Sequence, residues 1–232
     1  MLVFLDSLVR VWYRFCTEPI LRRLSWDRIE ALNKFCLIVF LYKKKLLDGW
    51  LEFSQKIKIL QIKVQSDYID HKVFVLFQDA DVMWFRDPFL QFDSNVDVQI
   101  SCDAFNGKPF DLNNYPNNGF SFIRSNNRTI EFYKLWVSLR WMYPGQHDQD
   151  VFNQIKRDSY INKIGLTLKF LDTNYFGGFC TPSKDFNKVC TMHANCCVGL
   201  EWKITDLKII LEDWKRFLSS PNQTMSFHSL QN

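Results

Sequence analysis

The sequence has no apolar run long enough to cross a membrane as a helix. Its longest uninterrupted run, Phe35 to Tyr42, has eight residues, whereas a membrane-spanning helix needs about 20. Asp6 and Arg10 interrupt the opening apolar stretch, so we expect neither a signal peptide nor a membrane anchor at the start. Internal repeats and low-complexity tracts are also absent, which excludes a repeat architecture.

Other classes are excluded by composition. The chain has 232 residues, of which 47% are apolar and 16% aromatic, and this apolar content rules out intrinsic disorder. Seven cysteines are too few for a small disulfide scaffold in so long a chain. The length suits one large domain or two small ones, and the aromatic residues can fill a sizeable core.

The positive charge lies in the first third of the sequence. The net charge is +4, but residues 1–72 hold 13 Lys and Arg against 8 Asp and Glu, and residues 73–232 hold 16 against 17. The larger part has no basic stripe with interleaved aromatics, so we do not expect nucleic-acid binding. The cluster Lys43 to Lys45 is typical of a solvated helix end. The composition therefore divides the chain near residue 72.

The two parts also differ in the elements they predict. Helical patterns begin near Ser25 or Asp27 and again at Trp50, without any chemical motif. After His71 the pattern alternates, with strands predicted at 73–77, 96–102, 120–123 and 166–171. Helices are predicted from Asn126 or Asn127, over 148–157 and from near 201. Alternating strands and helices indicate an α/β layered domain.

The first candidate site is Asp79-Ala80-Asp81, directly after the apolar run 73–77. Such a run is typical of a strand buried on both faces, and ligands of open α/β sheets bind outside the carboxyl ends of strands. A turn there would let both carboxylates reach one cation, and hard oxygen ligands suit Mg²⁺ or Mn²⁺. We interpret the pair as a metal–diphosphate site; the alternative is a solvated loop.

Six sequence blocks from about Val73 to Phe217 resemble a known family and occur in its order. They are FQDADVMWFRDPF, DVQISCDAFNG, NNGFSFIRSNNRTIEFYKLW, PGQHDQDVFNQIK, FLDTNYFGGFC and CTMHANCCVGLEWKITDLKIILEDW. The chain resembles the plant nucleotide-diphospho-sugar transferases of glycosyltransferase family seventy-seven. This resemblance implies a GT-A-like (Rossmann-like) mixed sheet with flanking helices, a divalent metal, and retention of configuration at the anomeric carbon of the transferred sugar.

The resemblance also implies a third metal ligand. His193 follows a short strand-like segment and matches the histidine that related retaining transferases supply near their C-terminus. An imidazole beside two carboxylates favours Mn²⁺ over Mg²⁺. The alternative is a hydrogen-bonded core histidine.

Further blocks match residues that bind the donor sugar. Asp103, predicted just after a strand, resembles an acid that accepts hydrogen bonds from sugar hydroxyls. Asn117-Asn118-Gly119 resembles a small polar turn that approaches the sugar, although many relatives have Gly in place of Asn118. A plain β-turn that enters a strand is an equally good interpretation.

The block His147-Asp148-Gln149-Asp150 opens a predicted helix. Acidic residues in a first turn complement the helix dipole, which alone could explain Asp148 or Asp150. The resemblance places Asp148 nearest the anomeric carbon and lets Gln149 position or polarise neighbouring groups. For His147 and Asp150 the structural and functional interpretations stay open.

Cysteines and sequons bear on the compartment. Cys180, Cys190, Cys196 and Cys197 fall within 18 residues around His193, and without C-x-x-C spacing they favour disulfides in an oxidising lumen over a zinc site. Adjacent Cys196 and Cys197 should have different partners. Two glycosylation sequons begin at Asn127 and Asn222. With the family, these features indicate a Golgi-lumen glycoprotein, whose full-length relatives are type II membrane proteins.

The sequence thus predicts three parts: an atypical helical segment at 1–72 of unknown role, a glycosyltransferase catalytic region at 73–218, and a tail at 219–232. The expected partners are a nucleotide-diphospho-sugar donor, with a pentose as the expected sugar, and a cell-wall glycan or glycoprotein acceptor. The family's nucleotide-binding βα unit is not recognisable before Asp79, so an inactive truncated form or pseudoenzyme with residual metal binding is the main alternative. A haloacid-dehalogenase-like phosphatase, with Asp79 as nucleophile, needs a late acidic pair at a strand end, and Glu212-Asp213 lies in a predicted helix.

Overall fold

The computed structural model describes residues 74–79, 81–124, 126–140, 142–143 and 145–219. The helices predicted before residue 72 lie outside these ranges, and so do residues 220–232 of the predicted tail. The described strands are β1 (Phe74–Gln78), β2 (Val82–Trp84), β3 (Val98–Ala104), β4 (Tyr115–Arg124), β5 (Leu168–Phe170), β6 (Phe176–Gly178) and β7 (Thr191–His193). The described α-helices are α1 (Asn127–Arg140), α2 (Asp148–Ile155), α3 (Ser159–Lys163) and α4 (Leu200–Ser219).

The larger sheet has four strands in the order β1-β4-β3-β5. Strand β4 is antiparallel to both β1 and β3, and β5 is parallel to β3. The carboxyl ends of β1, β3 and β5 therefore meet the amino end of β4 at one edge of the sheet. This edge carries Asp79 after β1, Asp103 near the end of β3 and Asn117 near the start of β4.

A smaller sheet has three strands in the order β2-β7-β6, and its first strand follows Asp81 directly in the sequence. Strand β2 is antiparallel to β7, with Val82 opposite His193, and β6 is parallel to β7, with Gly178 opposite His193. Because β2 begins one residue after Asp81, this pairing brings His193 to the Asp79–Asp81 segment.

Aromatic packing holds the helices on the sheets. The indole of Trp136 and the ring of Phe132, both on α1, pack against Phe152 of α2, with ring centroids 5.0 and 5.8 Å from it. In a second buried cluster, Trp214 of α4 lies 5.1 Å from Phe85 and 6.0 Å from Phe186, measured between ring centroids. All six side chains are buried, so α1, α2 and α4 contribute large apolar areas to the core.

Local signals explain where α1 starts. Asn126 accepts a hydrogen bond from the backbone N–H of Thr129 through Oδ1 (3.1 Å), and the Thr129 hydroxyl accepts one from the Asn126 N–H (3.1 Å). This reciprocal cap satisfies amide groups that the helix itself leaves unpaired. Of the two predicted caps, Asn126 is therefore the one used.

The predicted α/β class with mixed sheets and flanking helices is confirmed, and several local expectations are corrected. Asp103 lies within β3 rather than after a strand. The segment Asn117 to Gly119 lies within β4, not in a turn. Ile100 pairs with Ser121 but the next residue, Ser101, pairs with Asn117, so the ladder bypasses the residues between them. The segment therefore forms a β-bulge inside the strand.

The end of one helix, the short helix after it and three short strands also differ from expectation. The helix predicted over 148–157 ends at Ile155, and α3 follows with Asp158 as its N-cap, whose carboxylate accepts a hydrogen bond from the Tyr160 N–H. Strands β2 and β6 were not predicted, and β7 includes His193 instead of preceding it. With three residues each, these strands are too short for alternation to identify them.

Candidate functional site

The structure brings Asp79, Asp81 and His193 together at the sheet edge. His193 Nε2 lies 3.3 Å from Asp81 Oδ1 and 3.7 Å from Asp79 Oδ2, and one ligand atom from each residue lies within 4.8 Å of the others. Asp81 and His193 are buried, whereas the Asp79 side chain is 53% exposed. The cluster is therefore open on the side of Asp79. Two carboxylates and an imidazole form a donor set that fits Mn²⁺ or Mg²⁺.

Lys203, near the start of α4, adds a cation to this cluster. Its Nζ lies 2.7 Å from Asp81 Oδ2. Burial acts to raise the pKa of the Asp81 carboxyl, but the hydrogen bond and charge of His193, and then the charge and hydrogen bond of Lys203, outweigh burial and hold that pKa well below its usual range. Asp81 is therefore an anion at neutral pH, as a metal ligand must be.

Gly119 provides the space for the His193 ring. A Cβ atom at this position would lie 2.6 Å from His193 Nδ1 and 2.8 Å from Asn117 Oδ1, closer than side-chain carbons pack. His193 Nδ1 is buried and has no hydrogen-bond partner within the described ranges. The imidazole is thus held by packing on one side, while Nε2 points to the two carboxylates.

A second group of polar side chains surrounds Asp103. Its Oδ1 accepts hydrogen bonds from Asn117 Nδ2 (2.7 Å) and Asn195 Nδ2 (2.6 Å), and its Oδ2 accepts one from Gln149 Nε2 (2.8 Å). The Thr181 hydroxyl donates to the Asp103 carbonyl oxygen at 2.6 Å. Three amides, from β4, from α2 and from the loop after β7, therefore orient one carboxylate.

Asp148 lies at the start of α2 and contacts the same part of β4. Asn118 Nδ2 donates to Asp148 Oδ2 at 2.8 Å, and the backbone N–H of Gln149 donates to Oδ1 at 2.9 Å. The Trp136 indole donates to the Asp148 carbonyl oxygen at 3.1 Å. The structure thus places Asn118 against Asp148, and Asn117 against Asp103.

The neighbouring residues His147 and Asp150 are exposed. The backbone N–H of His147 donates to Asp150 Oδ2 at 3.1 Å, a bond that closes the first turn of α2. An acidic side chain in this turn also complements the helix dipole. The helix-capping interpretation therefore accounts for the Asp150 side chain.

Two residues of the site were missed in the sequence. Asn195 lies two positions after His193, and Lys203 lies ten positions after it, so both belong to the block that supplies His193. Their partners Asp103 and Asp81 are 92 and 122 residues away along the chain. Such long-range pairs leave no periodic or spacing signal in a single sequence.

A disulfide joins Cys180 to Cys196 beside this site. Within the described ranges, Cys102, Cys190 and Cys197 are reduced and buried. Cys196 and Cys197 thus differ in their partners, and the Cys197 sulfur lies 3.8 Å from Asp206 Oδ2.

Asn127, the first sequon, is exposed at the start of α1, and Asn222 lies outside the described residues. Glu212 and Asp213 lie within α4, where Asp213 pairs with Arg216, so they supply no strand-end acidic pair for a phosphatase. In the part of the chain that the structure describes, no helix has the length and apolar character to span a membrane.

Comparisons with known proteins identify the family. The sequence profile of the nucleotide-diphospho-sugar transferases matches residues 54–207. An uncharacterised Arabidopsis thaliana protein is 53% identical over 140 residues, which are 60% of this chain and 38% of that protein. A UDP-galactose:fucoside alpha-3-galactosyltransferase of Dictyostelium discoideum is 30% identical over 156 residues, 54% of this chain and 23% of the relative.

A solved structure is also similar. It is a glycosyltransferase involved in glycosylation of the major capsid of PBCV-1, with 15% identity, a TM-score of 0.44, and coverage of 66% of this chain and 74% of that one. The chain spans less than half the length of the curated relatives it matches. The profile match, which covers most of the chain and all the candidate site residues, shows that the chain belongs to the nucleotide-diphospho-sugar transferase family.

Proposed function

We propose that this chain is a metal-dependent glycosyltransferase that moves a sugar from a nucleotide-diphospho-sugar to a glycan or glycoprotein acceptor. The observation that carries the proposal is the cluster of Asp79, Asp81 and His193, whose ligand atoms lie within 4.8 Å of one another. It lies at the sheet edge that also carries Asp103 and Asn118, and the Asn118 amide contacts Asp148 of α2, in a chain of the nucleotide-diphospho-sugar transferase family.

The three clustered side chains would hold Mn²⁺, or Mg²⁺ in its place. The bound cation supplies positive charge that neutralises the departing nucleoside diphosphate. Asp81 enters this role already ionised, because Lys203 and His193 hold its pKa low against the effect of burial. The half-exposed Asp79 leaves a side through which the diphosphate reaches the cluster.

Asp103 binds the donor sugar in this proposal. Its Oδ1 accepts two amide hydrogen bonds and its Oδ2 accepts one, from Gln149. Because each carboxylate oxygen can accept about two hydrogen bonds, Oδ2 has capacity for a sugar hydroxyl. A hydrogen bond to an ionised carboxylate is strong and directional, so it would hold the sugar ring in one orientation.

Asp148 and Gln149 act near the anomeric carbon. The Asp148 carboxylate would stabilise the positive charge that develops there as the bond to the diphosphate breaks. Asn118 donates to this carboxylate and Gln149 donates to Asp103, so a neighbouring amide orients each of the two carboxylates. Retention of configuration then requires the acceptor hydroxyl to attack the face that the diphosphate vacates, and the hydroxyl proton would pass to the departing diphosphate oxygen.

The finer assignments rest on the family resemblance. They are membership of glycosyltransferase family seventy-seven, a pentose donor, a cell-wall acceptor and a Golgi-lumen location. Two of the relatives are Arabidopsis thaliana proteins, and the Cys180–Cys196 disulfide supports an oxidising compartment.

Purified protein tests the proposal with Mn²⁺ and a panel of UDP-xylose, UDP-arabinopyranose and UDP-galactose. We expect metal-dependent hydrolysis of at least one of these donors, lost in Asp81→Ala. The exposed carboxylate of Glu212, in an i,i+3 pair with Lys215, offers a matched control, and Glu212→Ala should retain the activity. Unchanged activity in Asp81→Ala would refute the metal assignment. Wild-type protein that neither binds nor hydrolyses any donor would instead support the inactive truncated or pseudoenzyme alternative.

A further inference from the structure

Asn195 connects the two halves of the candidate site. Along the chain, His193 Nε2 faces the two carboxylates, the Ala194 N–H donates to the Asp81 carbonyl oxygen at 3.0 Å, and Asn195 Nδ2 donates to Asp103 Oδ1 at 2.6 Å. Three consecutive residues thus contact the proposed metal ligands and the proposed sugar-binding carboxylate. Asn195 was not among the residues that the sequence singled out.

The orientation of the Asn195 amide is determined by its surroundings. Its Oδ1 accepts a hydrogen bond from the backbone N–H of Cys180 at 3.2 Å. Because a backbone amide can only donate, the oxygen must face Cys180 and the NH₂ group must face Asp103. The side chain packs on Gly178, where an added Cβ would lie 2.7 Å from Asn195 Nδ2.

Asn195 is also buried, so water does not replace its contacts. Its exposed fraction is 9%. The next residue, Cys196, forms a disulfide with Cys180, whose backbone N–H donates to Asn195. The disulfide therefore keeps Cys180 close to Asn195, and the Asn195 amide has little freedom to turn away from Asp103.

We propose that Asn195 is a positioning residue that makes Asp103 present a single oxygen to the donor sugar. This inference rests on the proposed function, and it adds how the carboxylate is aimed. Asn117 and Asn195 together fill the acceptor capacity of Asp103 Oδ1. Oδ2 accepts one hydrogen bond from Gln149, and it is the oxygen that accepts a hydrogen bond from the sugar hydroxyl.

A binding experiment separates this role from a general structural one. The affinities of UDP and of the UDP-sugar that binds best in the panel above are measured by calorimetry, each with saturating Mn²⁺. UDP reports the metal and diphosphate part of the site, and the difference between the two ligands reports the sugar. In Asn195→Ala we expect the affinity for the UDP-sugar to fall about tenfold, because one hydrogen bond to a charged group no longer aims Asp103. Affinities for Mn²⁺ and UDP should stay within about twofold.

Asn162 of α3 is exposed and provides the matched control, so Asn162→Ala should leave all three affinities unchanged. If Asn195→Ala does not fold, Asn195→Leu retains the approximate size of the side chain but has no group that can donate to Asp103. The same selective loss of sugar affinity is then expected.

Four results would overturn the inference. In a folded variant, equal losses for UDP and UDP-sugar, or no loss for either, would show that Asn195 does not position Asp103. Failure of both Asn195 variants to fold would assign the residue a structural role only. Wild-type protein that binds Mn²⁺ but no UDP-sugar would refute the proposed function itself, and this inference with it.

Discussion

Replacing Gly119 with alanine would insert a methyl group between β4 and the imidazole of His193. The new Cβ would lie 2.6 Å from His193 Nδ1, whereas ordinary contacts begin near 3.4 Å. The ring must therefore move by about 1 Å to accept the methyl group. A shift of the ring toward the carboxylates would remove the space for a metal ion between the imidazole and these groups, because Nε2 is already 3.3 Å from Asp81 Oδ1.

Two effects should follow with different magnitudes. Overpacking of this kind lowers the free energy of unfolding by about 1–3 kcal/mol. A change in the residues that hold a metal-binding side chain in place lowers metal affinity by about 10–100-fold. Titration of the protein with Mn²⁺, followed by electron paramagnetic resonance of the free ion, measures the second effect directly. Thermal unfolding in the absence of metal measures the first.

Gly107→Ala is the control for this experiment. Gly107 has φ +84° and no atom within 4 Å of an added Cβ, so alanine there strains the backbone by about 1–2 kcal/mol without a clash. We expect it to destabilise the protein and leave Mn²⁺ affinity unchanged. Wild-type Mn²⁺ affinity in a folded Gly119→Ala variant would refute the reasoning, because it would mean that the displaced imidazole is not a ligand.

Three further predictions follow from other contacts. Lys203→Met leaves the buried Asp81 carboxylate without its ammonium partner. The metal-free variant should therefore unfold at a lower temperature than metal-free wild type, and Mn²⁺ should raise its melting temperature more than that of wild type. Equal metal-induced shifts in the two proteins would contradict this. Serine at both Cys180 and Cys196 should cost about 3 kcal/mol of stability, since the disulfide closes a loop of 16 residues, and calorimetry that shows no change in unfolding free energy would argue against the pairing. Although burial opposes it, a set of hydrogen bonds holds the pKa of Asp97 below its ordinary value, so this carboxylate stabilises the fold above about pH 4 and loses that contribution as the pH falls through its lower folded-state pKa. Urea unfolding of Asp97→Asn should therefore differ most from wild type at neutral pH and approach it in acid, and a difference independent of pH would refute the assignment.

Much of the larger sheet could be predicted from local patterns. The apolar runs of β1 and β3 and the spacing of apolar residues in α1 and α4 depend on burial of one face or both, which a single sequence records directly. The positions of Asp79 and Asp81 follow from the end of β1. Their closeness to His193 does not, since it depends on a pairing of β2 with β7 across more than a hundred residues.

The misplaced segment Asn117 to Gly119 shows a different limit. Adjacent asparagines before a glycine are typical of a turn, yet here they lie within a strand. The amide of Asn117 is used for Asp103, that of Asn118 for Asp148, and the absent side chain of Gly119 for His193. The polar composition reflects three tertiary contacts, and the local backbone preference is overridden by them.

The pairing of β2 with β7 has a consequence for local opening. A cation bound by Asp81 and His193 would cross-link two strands that begin or end at those residues and share only a three-residue register. Fraying of β7 would then require loss of the cation, so binding should slow amide hydrogen exchange in 82–84 and 191–193 far more than in the four-stranded sheet. Exchange rates in these six residues would thus report cation occupancy in the absence of any sugar donor, and they would do so even in a chain that has lost its catalytic activity.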